Sequence, residues 1–184
     1  MDISKSTLDI IWAPWRLAYV TSDEKEKLEQ KKRLAQGLVF MENADPDCFI
    51  CQGSVCSEDQ FSERYILHRT DHIIALLNRY PYNNGHLLIA PKRHIARLDL
   101  LTGEEWSEIT SELTFWTGKL TELMNPDGFN IGLNLGRSAG AGLPGHLHWH
   151  IVPRWNGDTN FITTIGSAKA IPQSLEALWG VLKK

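Results

Sequence analysis

From His146 to Pro153 the chain reads His-Leu-His-Trp-His-Ile-Val-Pro, alternating imidazoles with large apolar side chains. A period of two belongs to a strand with two unlike faces, because successive side chains point to opposite sides of the pleat. The spacing predicts a strand over His146–Pro153 with His146, His148 and His150 on one side, roughly 6.5–7 Å apart. Leu147, Trp149 and Ile151 then point the other way, into a core. Three of the seven histidines share that one face. Neutral imidazoles ligate metals, and they also act as nucleophiles. The pattern by itself leaves both uses open.

The segment Gly136–Gly145 just before this strand is rich in glycine. Glycines let backbone N–H groups close on phosphate oxygens. Many such loops do no more than turn the chain, but this one delivers directly into the histidine row. Loop and row together describe an anion pocket beside imidazoles.

Upstream, three strand-like runs are expected at Tyr65–His68, His72–Leu77 and Gly85–Ala90. The turn-forming segment Asn78–Asn84 joins the last two into a hairpin-like pair. Thr102–Met124 reads as a helix: Thr102 and Glu105 form a capping box. Trp106, Ile109, Leu113, Trp116, Leu120 and Leu123 follow at spacings of three or four. That stripe is read as core or dimer interface. Asn125–Gly128 ends the helix, Phe129–Leu135 is a further strand, and Gln173–Lys184 is an amphipathic helix carrying Leu175, Leu178, Trp179 and Leu182. Ser22–Ala35 is read as a charged, exposed helix, and Asn43–Asp47 as a turn. The order β-β-β-α-β-β-α predicts an α+β domain on an antiparallel sheet of about five strands. Residues 1–184 are expected to form one domain, with an N-terminal extension over about 1–45 and a C-terminal helix over about 173–184.

With 42% hydrophobic and 22% charged residues in 184, the chain has the composition of a folded globular protein. No apolar run approaches the roughly 20 residues that cross a bilayer. Met1–Val20 lacks the layout of a secretory signal. The net charge of −3 comes with no basic block, so nucleic acid and membrane surfaces are not expected partners. A cytoplasmic location is expected. Cys48, Cys51 and Cys56 are an odd, clustered set. Cys48-Phe49-Ile50-Cys51 has the two-residue gap of half a zinc site, with His68, His72, His86, His94 and His146 as the candidates to complete it.

His146–Pro153 resembles the signature of the histidine triad superfamily. So do Leu77–Pro81, Gly85–His94, Asn134–Gly136 and Pro153–Asp158, so that the resemblance runs from about Cys48 to Phe161. Trp12–Arg16, Gly140–Gly142 and the segment from Pro153 to Phe161 look most like bacterial diadenosine tetraphosphate phosphorylases, and are related to the fragile histidine triad hydrolases. The resemblance implies a nucleotide-binding homodimer that cleaves dinucleoside polyphosphates at the α-phosphate. His148 would be the nucleophile, forming a nucleotidyl-histidine intermediate. His150 would contact phosphate oxygens, and His146 completes the catalytic row. Asn78 would hold the ribose hydroxyls. Asn134 would contact the phosphate, with the backbone of Gly142, Leu143, Pro144 and Gly145 binding the anion. Phosphate or water would take the nucleotidyl group. Zinc-carrying relatives and galactose-1-phosphate uridylyltransferase imply a structural zinc on Cys48, Cys51, His94 and His146. His68, His72 and His86 are then expected to have no special role. Many triad enzymes have Gln followed by Ser or Thr before the first histidine. Leu143-Pro144-Gly145 here removes the hydroxyl and, at Pro144, one N–H. The other readings are a nucleoside phosphoramidase, a nucleotide-binding signalling module with incidental turnover, and a zinc-dependent adaptor.

Overall fold

The computed structural model describes residues 33–160, 163, 165 and 169–184. Trp12–Arg16, and Ser22–Ala35 apart from its last three residues, lie outside them. Two short helices come first, α1 (Phe49–Val55) and α2 (Phe61–Arg64). Strands β1 (Ile66–Arg69), β2 (Ile73–Leu77) and β3 (Leu87–Pro91) follow, then the long helix α3 (Gly103–Met124). Strands β4 (Gly128–Leu133) and β5 (Trp149–Arg154) and helix α4 (Leu175–Leu182) complete the order. The five strands form one sheet in the order β1-β2-β3-β5-β4, every neighbouring pair antiparallel. The α+β architecture read from the sequence is the one observed.

Both faces of the sheet are covered, which is why β2 and β3 are buried along their whole length. On one face Ile73, Ala75, Leu77, Leu87, Ile89, Trp149 and Ile151 pack with Ile109, Trp116 and Leu120 of α3. Burial of each large aliphatic side chain there contributes about 1.5–3 kcal/mol. On the other face Ile74, Leu76, Leu88 and Ala90 meet Cys48, Ile50 and Cys51 at α1. Of the helical stripe, Ile109, Trp116 and Leu120 are buried and Leu113 half-buried, whereas Trp106 and Leu123 stay exposed.

The capping box at Thr102 is present in full. Its Glu105 is buried and also takes a bidentate contact from Arg93, Nε and Nη2 each at 2.8 Å. Burial alone would raise this carboxyl, but Arg93 and the Thr102 N–H hold it below its ordinary range. The pair ties the chain beside His94 to the start of α3. At the other edge, α4 covers β1: Trp179 Nε1 donates to Ile66 O at 2.9 Å and Lys183 Nζ to Leu67 O at 2.9 Å. An otherwise open strand edge is thereby closed. Among the described residues no helix is long and apolar enough to cross a membrane.

One boundary differs from expectation: the ladder of β5 begins at Trp149, not His146. The β3–β5 register pairs Ile89 with Trp149, so two residues further Pro91 would face Leu147. Pro91 has no N–H to offer, and the Leu147 N–H turns instead to Ile95 O at 2.7 Å. The alternation nevertheless persists: Leu147, Trp149 and Ile151 lie in the α3-side core.

Candidate active site and cysteine–histidine cluster

The three histidines occupy one face of one segment, yet each has a different partner. His146 Nε2 lies 2.8 Å from Pro91 O. A carbonyl only accepts, so the ring hydrogen is on Nε2 and the lone pair on Nδ1. His148 is the reverse. Its Nδ1 lies 2.8 Å from His146 O, so Nδ1 carries the hydrogen and Nε2 the lone pair. His148 is buried, and burial, with the neighbouring His146, holds it below the ordinary imidazole range despite the carbonyl's opposing effect. A ring that stays neutral with its lone pair on a defined nitrogen is a nucleophile without prior deprotonation.

The third imidazole is set by a fourth. His86 is 1% exposed, and its Nδ1 accepts the Tyr82 N–H at 3.0 Å. The His86 hydrogen is therefore on Nε2, which lies 2.9 Å from His150 Nδ1. His150 Nδ1 accepts, and its own hydrogen is placed on Nε2. That Nε2 is buried and has no partner among the described residues. Burial pushes His86 down to about 3, helped by His150 and His148. Burial, then His148, pushes His150 down to about 4. The result is a neutral N–H donor without an acceptor, its ring centroid 5.1 Å from that of the His148 lone-pair ring. A phosphoryl oxygen is the kind of acceptor such a donor lacks.

The structure corrects the expectation that His86 has no special role. No alternation marks it, since β3 is apolar and buried along its whole length; the pairing of Leu88 with His150 brings the neighbouring His86 to the row. His68 and His72 lie elsewhere, on Glu112 (2.9 Å) and Glu108 (2.8 Å) of α3. Asn78 begins the 78–86 loop; its Oδ1 accepts the Tyr80 N–H at 2.9 Å and its Nδ2 lies 3.4 Å from both His86 ring nitrogens. The amide thus borders the histidines. Asn134 is half-buried just past the end of β4. Gly142, Leu143, Pro144 and Gly145 form the turn into His146, whose N–H donates to Leu143 O at 3.3 Å. Gly85, at φ +76°, fixes the loop's end: a Cβ there would lie 2.9 Å from Pro153 Cγ and 3.1 Å from Met124 Sδ.

Beside the row, one ligand atom each from Cys48, Cys51, His94 and His146 lies within 4.8 Å of the others. Cys48 Sγ is 3.3 Å from His146 Nδ1, and Cys51 Sγ is 3.2 Å from His94 Nδ1. All four belong to the set read from the resemblance. They fit a cation by their chemistry: two sulfurs and two imidazoles are a zinc donor set. His146 also meets the further requirement that a ligating histidine hand its other N–H to a fixed acceptor, here Pro91 O. The hydrogen bond to Cys51, then burial, pushes Cys48 up to about 12, while that same bond holds Cys51 below the ordinary thiol range. A bound cation would displace the thiol protons of both cysteines. Cys56 is buried and separate, its Sγ directed at Gly53 O.

A sequence model of the HIT domain matches residues 61–157. Over 171 residues, 93% of this chain and 80% of the relative, the sequence is 36% identical to the AP-4-A phosphorylase of Mycobacterium tuberculosis. Over 89 residues, 48% of this chain and 59% of the relative, it is 34% identical to the bis(5'-adenosyl)-triphosphatase of Dictyostelium discoideum. Among solved structures, a Zn-bound histidine triad family protein from Mycobacterium smegmatis matches with a TM-score of 0.53 and 26% identity. That match covers 65% of this chain and 81% of that one.

Proposed function

The chain belongs to the HIT domain family, and on that premise we propose that it is an enzyme cleaving dinucleoside polyphosphates through a nucleotidyl-His148 intermediate. The observation that carries the proposal is the complementary pair of tautomers. His148 offers a lone pair at Nε2, and His150 beside it offers a free N–H at Nε2.

In the first step the His148 Nε2 lone pair forms a bond to the α-phosphorus, and the bond from that phosphorus to the bridging oxygen breaks. The electron pair leaves with the departing phosphate, and the ring becomes a cation that keeps its Nδ1–H. His146 O accepts that hydrogen bond and steadies the charge. The His150 Nε2–H donates to an oxygen of the reacting phosphate group. In the second step the oxygen of phosphate or water attacks the same phosphorus, and the P–N bond breaks with its electron pair returning to His148 Nε2. The proton of the incoming hydroxyl or water passes to solvent, and His148 is neutral again. Phosphate as acceptor gives a nucleoside diphosphate, and water gives the monophosphate. Likeness to the mycobacterial AP-4-A phosphorylase favours phosphate. Asn78 and Asn134 contact ribose and phosphate in this reading, and the backbone of Gly142–Gly145 lines the anion site.

Cys48, Cys51, His94 and His146 would hold zinc in a closed tetrahedral set. With no open position it supplies bracing rather than chemistry. The thiols stay available for it in a reducing compartment, and we place the protein in the cytoplasm. The whole chain is read as one domain. It forms a homodimer through the exposed Trp106, Phe115 and Leu123 of α3 and Ile131 of the edge strand β4.

The test is a rapid-quench reaction with diadenosine tetraphosphate, stopped in base and read by mass spectrometry. One adenylyl group should appear on the peptide containing His148, and ADP should form only when inorganic phosphate is present. His148→Ala should remove both signals while the variant still binds AMP. Wild-type turnover with no adenylylated peptide at any quench time would refute the intermediate.

A further inference from the structure

The cysteine–histidine cluster and the histidine row are joined by two short mechanical links, and neither link is needed merely to bind a cation. The first runs through His146. Its ring belongs to the cluster through Nδ1, while its own carbonyl oxygen, 2.8 Å from His148 Nδ1, selects the tautomer of the nucleophile. The second runs through His94. Its Nδ1 faces Cys51 Sγ at 3.2 Å, and its opposite edge lies against the turn that would carry the anion. A Cβ built on Gly145 would stand 3.2 Å from His94 Nε2 and 3.6 Å from its Cε1. That is tighter than ordinary van der Waals contact, so a side chain at position 145 requires the His94 ring to give by a few tenths of an ångström. His94 and His146 also meet edge to face, centroids 5.0 Å apart. Moving either ring therefore disturbs the other, the Gly145 turn and the His148 hydrogen bond together.

We propose that cation occupancy at Cys48, Cys51, His94 and His146 and nucleotide binding at the His148 face are reciprocally coupled. The coupling passes through the Gly145–His94 contact and the His146 carbonyl. The proposal rests on the nucleotide-binding reading above. A cation draws the four donors into fixed positions. It thereby orders the turn from Leu143 to Gly145 and the main chain at His146, which the nucleotide would otherwise have to order for itself. The entropy of ordering is then lost once, not twice, which is positive cooperativity without any large change of shape. Linkage requires the converse: bound nucleotide must tighten cation binding by the same equilibrium factor. The cluster acts as a positioning device for His148, not as a source of Lewis acidity.

The experiment uses the full chain loaded with one equivalent of zinc and a competing chromogenic chelator titrated to equilibrium, with and without saturating AMP. AMP affinity is measured separately by calorimetry on the loaded and the stripped protein. Zinc affinity should rise at least about fivefold with AMP, and the loaded form should bind AMP more tightly by the same factor. Gly145→Ala crowds the His94 ring by a few tenths of an ångström. It should hold zinc less tightly than wild type and lose most of the AMP effect, with zinc bound at the same stoichiometry. AMP binding equally to both forms, with zinc affinity unchanged, would overturn the coupling and leave the nucleotide site standing. AMP binding to neither form would overturn the function proposed above and the coupling with it. Should stripping unfold the chain, the chelator competition on loaded protein still decides, since an unchanged zinc affinity with AMP bound overturns the proposal.

Discussion

Replacing His86 with glutamine should flatten the acid dependence of folding stability, because His86 is kept neutral only by the fold. Its ring is 1% exposed, and burial, reinforced by His150 and His148, pushes it down to about 3. In the unfolded chain the same ring titrates near 6.5. Between those two values the unfolded state holds a proton that the native state refuses, so stability falls as pH falls. Each pH unit across that window amounts to about 1.36 kcal/mol. From about pH 7 down to about pH 4.5 this one residue should cost the wild type about 2.5 kcal/mol. His86→Gln has no such ionisation. Whatever its stability at about pH 7, it should lose about 2.5 kcal/mol less on acidification. Carboxylates contribute to both proteins alike, and so does His72, which Glu108 raises and which acts in the opposite sense. His148 and His150, held down by burial, also contribute to both, because the glutamine amide can keep the hydrogen bond to His150 Nδ1, and the difference then isolates His86. The assay is urea unfolding of both proteins at the two pH values, followed by tryptophan fluorescence and checked for equal m-values. Parallel acid losses, agreeing within about 0.5 kcal/mol, would refute the neutral, buried His86 and with it the tautomer assigned to His150.

Three further outcomes are expected. The acid limb of kcat/KM against pH should lie below the ordinary imidazole value of about 6.5, since burial lowers His148 and protonation removes its lone pair; a limb above that value would contradict the environment described. Cys51→Ala should lower zinc content and the melting temperature together, and unchanged melting with no zinc in the wild type would exclude a structural metal. Thr102→Ala removes the acceptor for the Glu105 N–H and should cost about 1 kcal/mol in urea unfolding with kcat unaltered. A loss under a few tenths would mean that the Arg93–Glu105 pair holds the helix start without the cap.

How much of this was legible beforehand depended on how local the cause was. The helix start at Thr102 and its end at Asn125 follow from capping and turn chemistry within a few residues. The alternation in His146–Pro153 predicted which side chains reach the α3-side core, and Leu147, Trp149 and Ile151 lie there. The start of β5 was misplaced by three residues because the missing N–H belongs to Pro91, on another strand. His86 was passed over for a similar reason. Nothing near it in sequence distinguishes a loop histidine from one whose Nε2 meets His150, 64 residues away.

The sequence by itself determined the class of fold, the face on which the histidines stand and the residues eligible to hold a cation. Periodicity, capping and donor chemistry act over a few bonds, so a single chain reads them without its neighbours. Only the tertiary structure decided which nitrogen of each imidazole carries its hydrogen. It also decided that His146 belongs to the cysteine cluster while its carbonyl serves His148, and that the Gly145 turn lies close against the His94 ring. Those are properties of partners brought together across as many as 98 residues. A proton's place on a ring is fixed by the acceptor or donor facing it, and no local pattern supplies that partner.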